Sequence, residues 1–189
     1  MTELRYPFQE ADIRALRAGE AVRLTGRVFT GRDRLHKFLA EGGACPVEMR
    51  DGALFHCGPV VVRDGAGWRI VAAGPTTSIR EEPYMADVIR RFGVRLVIGK
   101  GGMGPKTRAA CMQCGGAYLQ AVGGAAALLA QRIKRVDGVE FLDKFGAAEA
   151  LWLLEVEGLE AVVGIDTLGR DVFAEIQASS EKRLRELTA

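Results

Sequence analysis

Histidine is the scarcest chemically versatile residue in this chain, with two among 189 residues. His36 and His56 are isolated in the sequence, so we predict packed or surface roles for them rather than catalysis. Four cysteines, at 45, 57, 111 and 114, lie in a chain that is large enough to fold without disulfide bonds. They indicate reduced thiols and a cytoplasmic protein.

The chain also lacks an excess of charge of one sign. Its 26 basic and 24 acidic side chains leave a net charge of +2, which excludes the extended basic face of a nucleic-acid-binding protein. The longest apolar stretch, residues 115–130, is broken by glycines and is too short to cross a bilayer. The first residues do not have the basic start and apolar run of a signal peptide. We therefore expect no nucleic-acid partner, no membrane partner and a cytoplasmic location.

Hydrophobic residues make up 48% of the chain, which is typical of a folded globular protein. We predict a single domain over residues 1–189, including a helical N-terminal lead-in at 1–20 and a C-terminal helix at 171–189. Alternating patterns predict strands in "EAVRLTGRVFT" and in a hairpin formed by "GALFHCGPVVV" and "GWRIVAAG". The hairpin leads through the helix "PYMADVIRRFG" to the strand "VRLVIG", as in a β-α-β unit.

The second half of the chain is predicted to add further strands and helices. "GGAAALLAQRIKRV" has a helical pattern, whereas "VEFLDKF", "ALWLLEVEG" and "EAVVGID" favour three strands. The predicted fold class is α/β, with a partly parallel sheet, mixed strands and flanking helices.

Two glycine- or cysteine-containing motifs are open to functional interpretations that we consider weaker. "GKGGMG" at 99–104 fits a dinucleotide-binding fingerprint, but residues 112–134 contain no acid to hold a ribose. Cys111 and Cys114 form a C-x-x-C pair, which occurs in redox and metal sites. The other half of a metal site would have to come from the isolated Cys45 and Cys57, so small buried thiols in a helix are the favoured interpretation.

The segment "GPTTSIR" at 74–80 is the strongest candidate for a binding site. It follows a predicted strand and precedes a helix, where an α/β sheet commonly binds ligands. Arg32, Arg80 and Lys100 also follow predicted strands, so their charges should converge at one edge of the sheet. Such a set suits a small dicarboxylate, but no general base, nucleophile or metal cluster accompanies it. The sequence thus predicts half of an active site.

Five segments in order carry a family resemblance: "GRDRLHK", "GPTTSIR", "IGKGGM", "YLQAVGGAAALLAQRIK" and "AEALWLLEVEGLEAVVGID". Together they resemble the β subunit, or C-terminal domain, of iron–sulfur-dependent class I fumarases and L(+)-tartrate dehydratases. The similarity extends from about residue 25 to 170. It implies a swivelling β/β/α domain and a partner α subunit, or N-terminal domain, that carries a [4Fe-4S] cluster with a Lewis-acidic iron. It also implies no cofactor bound by this chain alone and a higher hetero-oligomer.

The resemblance also assigns roles to individual residues. Arg32, Arg80 and Lys100 would bind the substrate carboxylates, and Thr77 and Ser78 would add hydrogen bonds. Thr76 would be the catalytic residue, beside the carbon that exchanges a proton. The chain departs from the family pattern at Glu81 and Glu82, which stand where Met-Asp is usual.

Two expectations follow from departures near the site. An extra acid beside the arginine at 80 is expected to weaken the local positive potential and so to affect the choice of substrate. Cys57, in "FHCGP", is expected to lie near the site without a catalytic role.

The sequence leaves several functions open. The first hypothesis is the β subunit of a hydro-lyase that interconverts fumarate and L-malate. The second is the corresponding subunit for dehydration of L-tartrate to oxaloacetate. A non-catalytic dicarboxylate-binding module and a dinucleotide-dependent oxidoreductase are the remaining alternatives.

Overall fold

The computed structural model describes residues 1–188, over which strands and helices alternate. The strands are β1 (Thr2–Arg5), β2 (Ala21–Gly31), β3 (Ala53–His56), β4 (Val60–Asp64), β5 (Gly67–Ala72), β6 (Leu96–Gly99), β7 (Ala117–Gln120), β8 (Ile133–Glu140) and β9 (Leu151–Ile165). The helices are α1 (Glu10–Ala15), α2 (Asp33–Ala40), α3 (Glu82–Phe92), α4 (Pro105–Cys114), α5 (Ala126–Gln131), α6 (Leu142–Phe145) and α7 (Val172–Thr188), and a 3₁₀ turn spans Ser78–Glu81.

The main sheet closes on itself. Its strand order is β1-β2-β3-β6-β7-β9-β8, and an additional β2–β9 pairing joins β2, β3, β6, β7 and β9 into a closed five-stranded ring. The first four of these strands are mutually parallel, whereas β9 runs antiparallel to β2 and β7. This arrangement confirms the predicted mixed α/β fold with a partly parallel sheet and flanking helices.

Both faces of the central strands are buried. Successive residues of β3 contribute to different apolar clusters, Phe55 to one that also holds Trp152 and Leu54 to one shared with α2 and α3. Val97 of β6 joins the second cluster, whereas its neighbour Ile98 joins the first. Parallel strands covered on both faces are expected to be continuously apolar, as these are.

The β-α-β unit exists, but its first strand differs from the prediction. Strand β3 pairs in parallel with β6, and α3 is the helix between them; α3 ends at Gly93 in a left-handed conformation (φ 65°). The predicted hairpin is confirmed only for β4 and β5, which form a separate two-stranded sheet. The reason is that "ALFH" is buried on both faces and enters the main sheet, so the hairpin is an insertion before α3.

The N-terminal lead-in is not wholly helical. Its first element is β1, which pairs in parallel with β2 and buries Leu4 between two exposed residues. This period of two is that of a strand with one buried face. The predicted C-terminal helix corresponds to α7, and its last predicted residue, Ala189, lies outside the described residues.

Three further boundaries differ in the second half. The helix predicted over 123–136 ends at Gln131, because the chain from Ile133 onward pairs with β9 as β8. The strand predicted at 139–145 ends in α6. The last two predicted strands are one continuous strand, β9, which contains Gly158 at positive φ (67°). No helix within residues 1–188 is both long and apolar enough to cross a membrane.

Candidate functional site

The site lies where β2, β3 and β6 end at one edge of the sheet. Arg32 directly follows β2, and Lys100 directly follows β6. The segment after β5 crosses these ends: the backbone N–H of Thr76 donates to His56 O at 2.7 Å, and Thr77 forms a parallel bridge with Lys100. The structure therefore brings the ends of three parallel strands and the Gly-Pro-Thr-Thr segment together.

Arg80 connects this segment to the start of α2. Its Nη2 donates to Thr76 Oγ1 at 2.8 Å and lies 3.0 Å from Asp33 Oδ2. Asp33 directly follows Arg32, so the ion pair joins the loops that carry the two arginines. Both partners are about half exposed, at 44% and 40% of the side chain, which leaves this face open to a ligand.

Arg32 lies deeper than Arg80. Its Nε is 3.7 Å from Glu149 Oε1 and has no hydrogen-bond partner within residues 1–188. Gly58 provides the space for it, because a Cβ at that position would lie 2.8 Å from Arg32 Cδ. A buried N–H without an acceptor is costly, and the nearby carboxylate of Glu149 offsets part of this cost through its charge.

Lys100, Thr76 and Thr77 complete the set that reaches this edge. Lys100 and Thr76 are partly buried, and Thr77 is exposed. The aliphatic part of Lys100 runs toward Gly123, where a Cβ would be 3.7 Å from Lys100 Cδ.

Ser78 lies deeper in the protein than the other residues predicted to bind the substrate. It is fully buried, and its Oγ lies within hydrogen-bond distance of His56 Nδ1 (2.9 Å), Tyr118 OH (3.0 Å) and Lys100 N (3.1 Å). A hydroxyl so engaged lies beneath the site and does not face a ligand. The sequence pattern did not reveal this because the partners of Ser78 come from β3, from β7 and from the residue that follows β6.

A second buried pair adjoins the Ser78 partners. His36 Nδ1 and Glu81 Oε2 are 2.9 Å apart, and both side chains are fully buried. The His36 and His56 rings meet edge to face, with centroids 5.0 Å apart. Packed roles for both histidines agree with the prediction, but their grouping beneath the site was missed. The sequence did offer one signal for His56, its position at the end of a strand. Arg32 and Lys100 were identified as site residues because each directly follows a strand.

Burial determines the protonation states of His56 and Tyr118, two of the hydrogen-bond partners of Ser78. It lowers the pKa of His56 well below 6.5, and the nearby His36 ring lowers it further. Burial also raises the pKa of Tyr118 to about 12. At neutral pH His56 is therefore a neutral ring that can accept a hydrogen bond, and Tyr118 keeps its O–H as a donor.

Neither of the two glutamates that follow Arg80 pairs with its guanidinium, which contacts Thr76 and Asp33. Glu81 binds His36 in the interior. Glu82 turns to the N-terminus of α4, where it accepts the backbone N–H groups of Gly104 (2.8 Å) and Lys106 (2.8 Å). The carboxylates beside the arginines are Asp33 and Glu149.

The Glu82 contacts also bear on the dinucleotide alternative. A bound pyrophosphate would need the free N–H groups at the start of the helix after "GKGGMG". Glu82 already holds those of Gly104, Lys106 and Thr107, with the Thr107 hydroxyl as a further donor at 2.6 Å. The geometry therefore argues against nucleotide binding at α4.

Two of the four cysteines, Cys57 and Cys111, are buried thiols. Burial raises the pKa of Cys57 and of Cys111 to about 12, which disfavours the thiolate. The described residues contain no group of three or more side chains arranged to hold a metal ion. Cys57 does lie beside the site, where its backbone bridges Pro75. The prediction of a small buried thiol holds for Cys111, whereas Cys114 is partly exposed.

Comparison with known proteins gives consistent matches. The family described as "Fumarase C-terminus" matches residues 2–176. A putative fumarate hydratase class I of Geobacillus stearothermophilus is 47% identical over 182 residues, which cover 96% of this chain and 35% of that protein. The chain thus spans about a third of that relative's length.

Two further relatives are close to this chain in length. A putative L(+)-tartrate dehydratase subunit beta of Methanocaldococcus jannaschii is 34% identical and is matched over 97% of this chain and 98% of its own length. The L(+)-tartrate dehydratase subunit beta of Escherichia coli is 36% identical, with coverage of 91% and 86%.

Proposed function

Because the chain belongs to the fumarase C-terminus family, we propose that it is the β part of a two-part hydro-lyase that interconverts fumarate and L-malate. The names of its relatives, a fumarate hydratase and two tartrate dehydratase beta subunits, support a role in a hydro-lyase. We propose the identity of the substrate and the roles of the two parts, namely which part binds the substrate carboxylates and which carries the cluster.

The observation that supports the proposal is that Arg32, Arg80 and Lys100 lie in segments that reach one edge of the sheet. Each comes from a different loop, and each loop is tied to the next by the Asp33–Arg80 ion pair or by the Thr77–Lys100 bridge. Two guanidinium groups and one ammonium suit a small molecule with two carboxylates. The cations would also stabilise the negative charge that grows on a carboxylate when the neighbouring carbon loses a proton.

Thr76 is the proposed proton-handling group of this chain. The Arg80 guanidinium donates to its Oγ1 at 2.8 Å. A positively charged donor favours negative charge on that oxygen and so helps it to share a proton with the substrate. The same guanidinium can hold a substrate carboxylate with its remaining N–H groups, which would place Thr76 beside the adjacent carbon.

The [4Fe-4S] cluster is proposed for the partner α subunit. Within residues 1–188 the thiols do not form a site for it, because no three or more His, Cys, Asp or Glu side chains are grouped to hold a metal ion. The complementary acid–base group is also expected from that subunit. The work proposed for this chain is to bind and orient the two carboxylates and to present Thr76.

L-Tartrate is the second candidate substrate. Identity favours fumarate, at 47% to the fumarate hydratase relative against 34% and 36% to the tartrate dehydratase subunits. Length favours tartrate, because those subunits are matched over 98% and 86% of their own length and the fumarate hydratase over 35%. Both substrates need the same pair of carboxylate contacts.

The test is anaerobic co-expression of this chain with an α subunit of the family, cluster reconstitution and assays with fumarate, L-malate and L-tartrate. We expect turnover of fumarate and L-malate by the assembled enzyme and none by this chain alone. A Lys100→Met variant should assemble but lose most activity. Faster turnover of L-tartrate would select the second candidate, and an assembled, cluster-loaded enzyme that converts none of the three would refute the proposal.

A further inference from the structure

The hydrogen bonds around Ser78 can be assigned one by one. The backbone N–H of Lys100 can only donate to Ser78 Oγ. The Tyr118 O–H donates to Ser78 Oγ at 3.0 Å. Two donors fill the acceptor capacity of a hydroxyl, so the Ser78 hydrogen points to the third partner, His56 Nδ1.

This assignment fixes the state of His56. A ring that accepts at Nδ1 is neutral and carries its hydrogen on Nε2, a buried atom without a hydrogen-bond partner within residues 1–188. A protonated ring would donate at Nδ1 and would compete with Lys100 N–H and Tyr118 O–H for the same oxygen. The neutral state that burial imposes on His56 is the state that leaves Ser78 free to hold Lys100.

Ser78 holds the Lys100 peptide on both sides. Its Oγ accepts the N–H of Lys100, and its own N–H donates to the Lys100 carbonyl at 3.0 Å. Gly99 makes this approach possible, because a Cβ there would lie 1.8 Å from Ser78 Oγ. The backbone from which the Lys100 ammonium projects is thus fixed from the interior.

The same network reaches Thr76. The carbonyl of His56 accepts the Thr76 N–H, and its ring accepts the Ser78 hydroxyl. One buried residue therefore contacts the backbone of the loop that presents Thr76 and the hydroxyl that holds Lys100.

We propose that Ser78, Tyr118 and His56 are positioning residues that set the place of Lys100 relative to Thr76 for dicarboxylate binding. This role rests on the proposed function. None of the three is expected to touch the substrate, and Ser78 acts through Lys100.

The first test does not depend on activity. Amide hydrogen exchange of this chain is measured by NMR for wild type, Ser78→Ala, Tyr118→Phe and a control, Thr25→Val. Thr25 lies in β2, and its Oγ1 also accepts a backbone N–H, that of Gly158 in β9. Losing one net hydrogen bond should speed exchange of the Lys100 amide about tenfold in Ser78→Ala, and the control should leave it unchanged. Unchanged Lys100 exchange in Ser78→Ala would overturn the network.

The second test is a double-mutant cycle in the assembled enzyme. Ser78→Ala should lower kcat/KM about tenfold when Lys100 is present. In a Lys100→Met background the same substitution should change kcat/KM less than about twofold, since the residue through which Ser78 acts is gone. An equal loss in both backgrounds would show a general structural role and overturn the inference.

The two tests separate this inference from the proposed function. An assembled wild type without hydro-lyase activity would overturn the proposed function and the substrate role of the network. Lys100 exchange would still decide whether Ser78 holds that peptide.

Discussion

At the residue scale, each arginine of the site is oriented by a carboxylate of the same chain. Asp33 contacts Arg80 at 3.0 Å, and Glu149 lies 3.7 Å from Arg32. A single carboxylate does not use all five N–H groups of a guanidinium, so each arginine keeps donors for a substrate. Asp33 and Glu149 therefore orient the two guanidinium groups, and their negative charges offset part of the positive charge of the arginines.

Removing the Arg80 guanidinium should affect activity far more than stability. We expect Arg80→Ala to lower kcat/KM of the assembled enzyme about 10²- to 10³-fold, as for other donors directed at a developing anion. Steady-state kinetics measures this effect. The matched control is Arg69→Ala, which removes an exposed arginine that also pairs with an aspartate, Asp64 at 3.1 Å. A loss of similar size in both variants would contradict a specific role for Arg80.

His56 should make stability depend on pH. Its pKa is lowered in the folded state, so the unfolded chain binds the extra proton first as pH falls below 6.5. The free energy of unfolding should be highest above that pH and should fall by up to about 1.4 kcal/mol per pH unit below it. Below the lowered pKa of the folded state this contribution should level off.

Urea denaturation across this range, with wild type compared with His56→Asn, measures the effect. The asparagine amide can still accept the Ser78 hydrogen bond but does not titrate. The difference in slope between the two proteins isolates His56 from the other buried groups nearby, His36 and Glu81. Equal slopes would contradict a neutral, buried His56.

Single residues also show what the sequence could reveal of the site. Arg32 and Lys100 were found because each directly follows a strand, and a parallel sheet brings such positions to one edge. The burial of Ser78 and its contact with His56 were not predictable in this way. They depend on β3 and β6 being neighbours and on the absence of a side chain at Gly99.

At the scale of secondary structure, Glu82 links two helices. It lies in the first turn of α3 and accepts hydrogen bonds from the first turn of α4. A carboxylate at a helix N-terminus satisfies free N–H groups and is favoured by the helix dipole. The contact therefore fixes the start of α4 and, with it, the end of the loop that begins at Lys100.

Neutralising Glu82 should weaken this junction. We expect Glu82→Gln to lower the free energy of unfolding by about 1–2 kcal/mol, as loss of a good helix cap does. Asp87→Asn on the same helix is the control, because Asp87 is exposed and its 3.6 Å ion pair with Arg90 is worth a few tenths of a kcal/mol at most. Chemical denaturation compares the two. An equal, small effect would show that Glu82 does not stabilise α4.

The elements that the sequence predicted well are those with local signals. Helix α3 has an apolar face and ends at Gly93, and β6 is a short apolar run, so both boundaries are nearly as predicted. The change from α5 to β8 has no such signal. "QRIKRV" continues the helical pattern, and only pairing with β9 makes Ile133–Glu140 a strand. Tertiary pairing therefore overrode the local pattern.

At the scale of the whole molecule, the strand order is what concentrates the site. β2, β3 and β6 are neighbouring parallel strands, so they end side by side beneath the segment carrying Thr76 and Arg80, and the β2–β9 pairing closes this sheet into a ring. The sequence predicted a partly parallel sheet but not its closure. Closure depends on antiparallel pairing between strands more than 100 residues apart, such as Val28 with Leu154.

The central claim is that cations from three separate loops bind one small dicarboxylate. Its most direct test is an experimental structure of the assembled two-part enzyme with a bound dicarboxylate inhibitor. The account predicts that carboxylate oxygens lie within hydrogen-bond distance of Arg32, Arg80 and Lys100, with Thr76 beside the carbon between them. An inhibitor bound without contact to any of these three cations would contradict it.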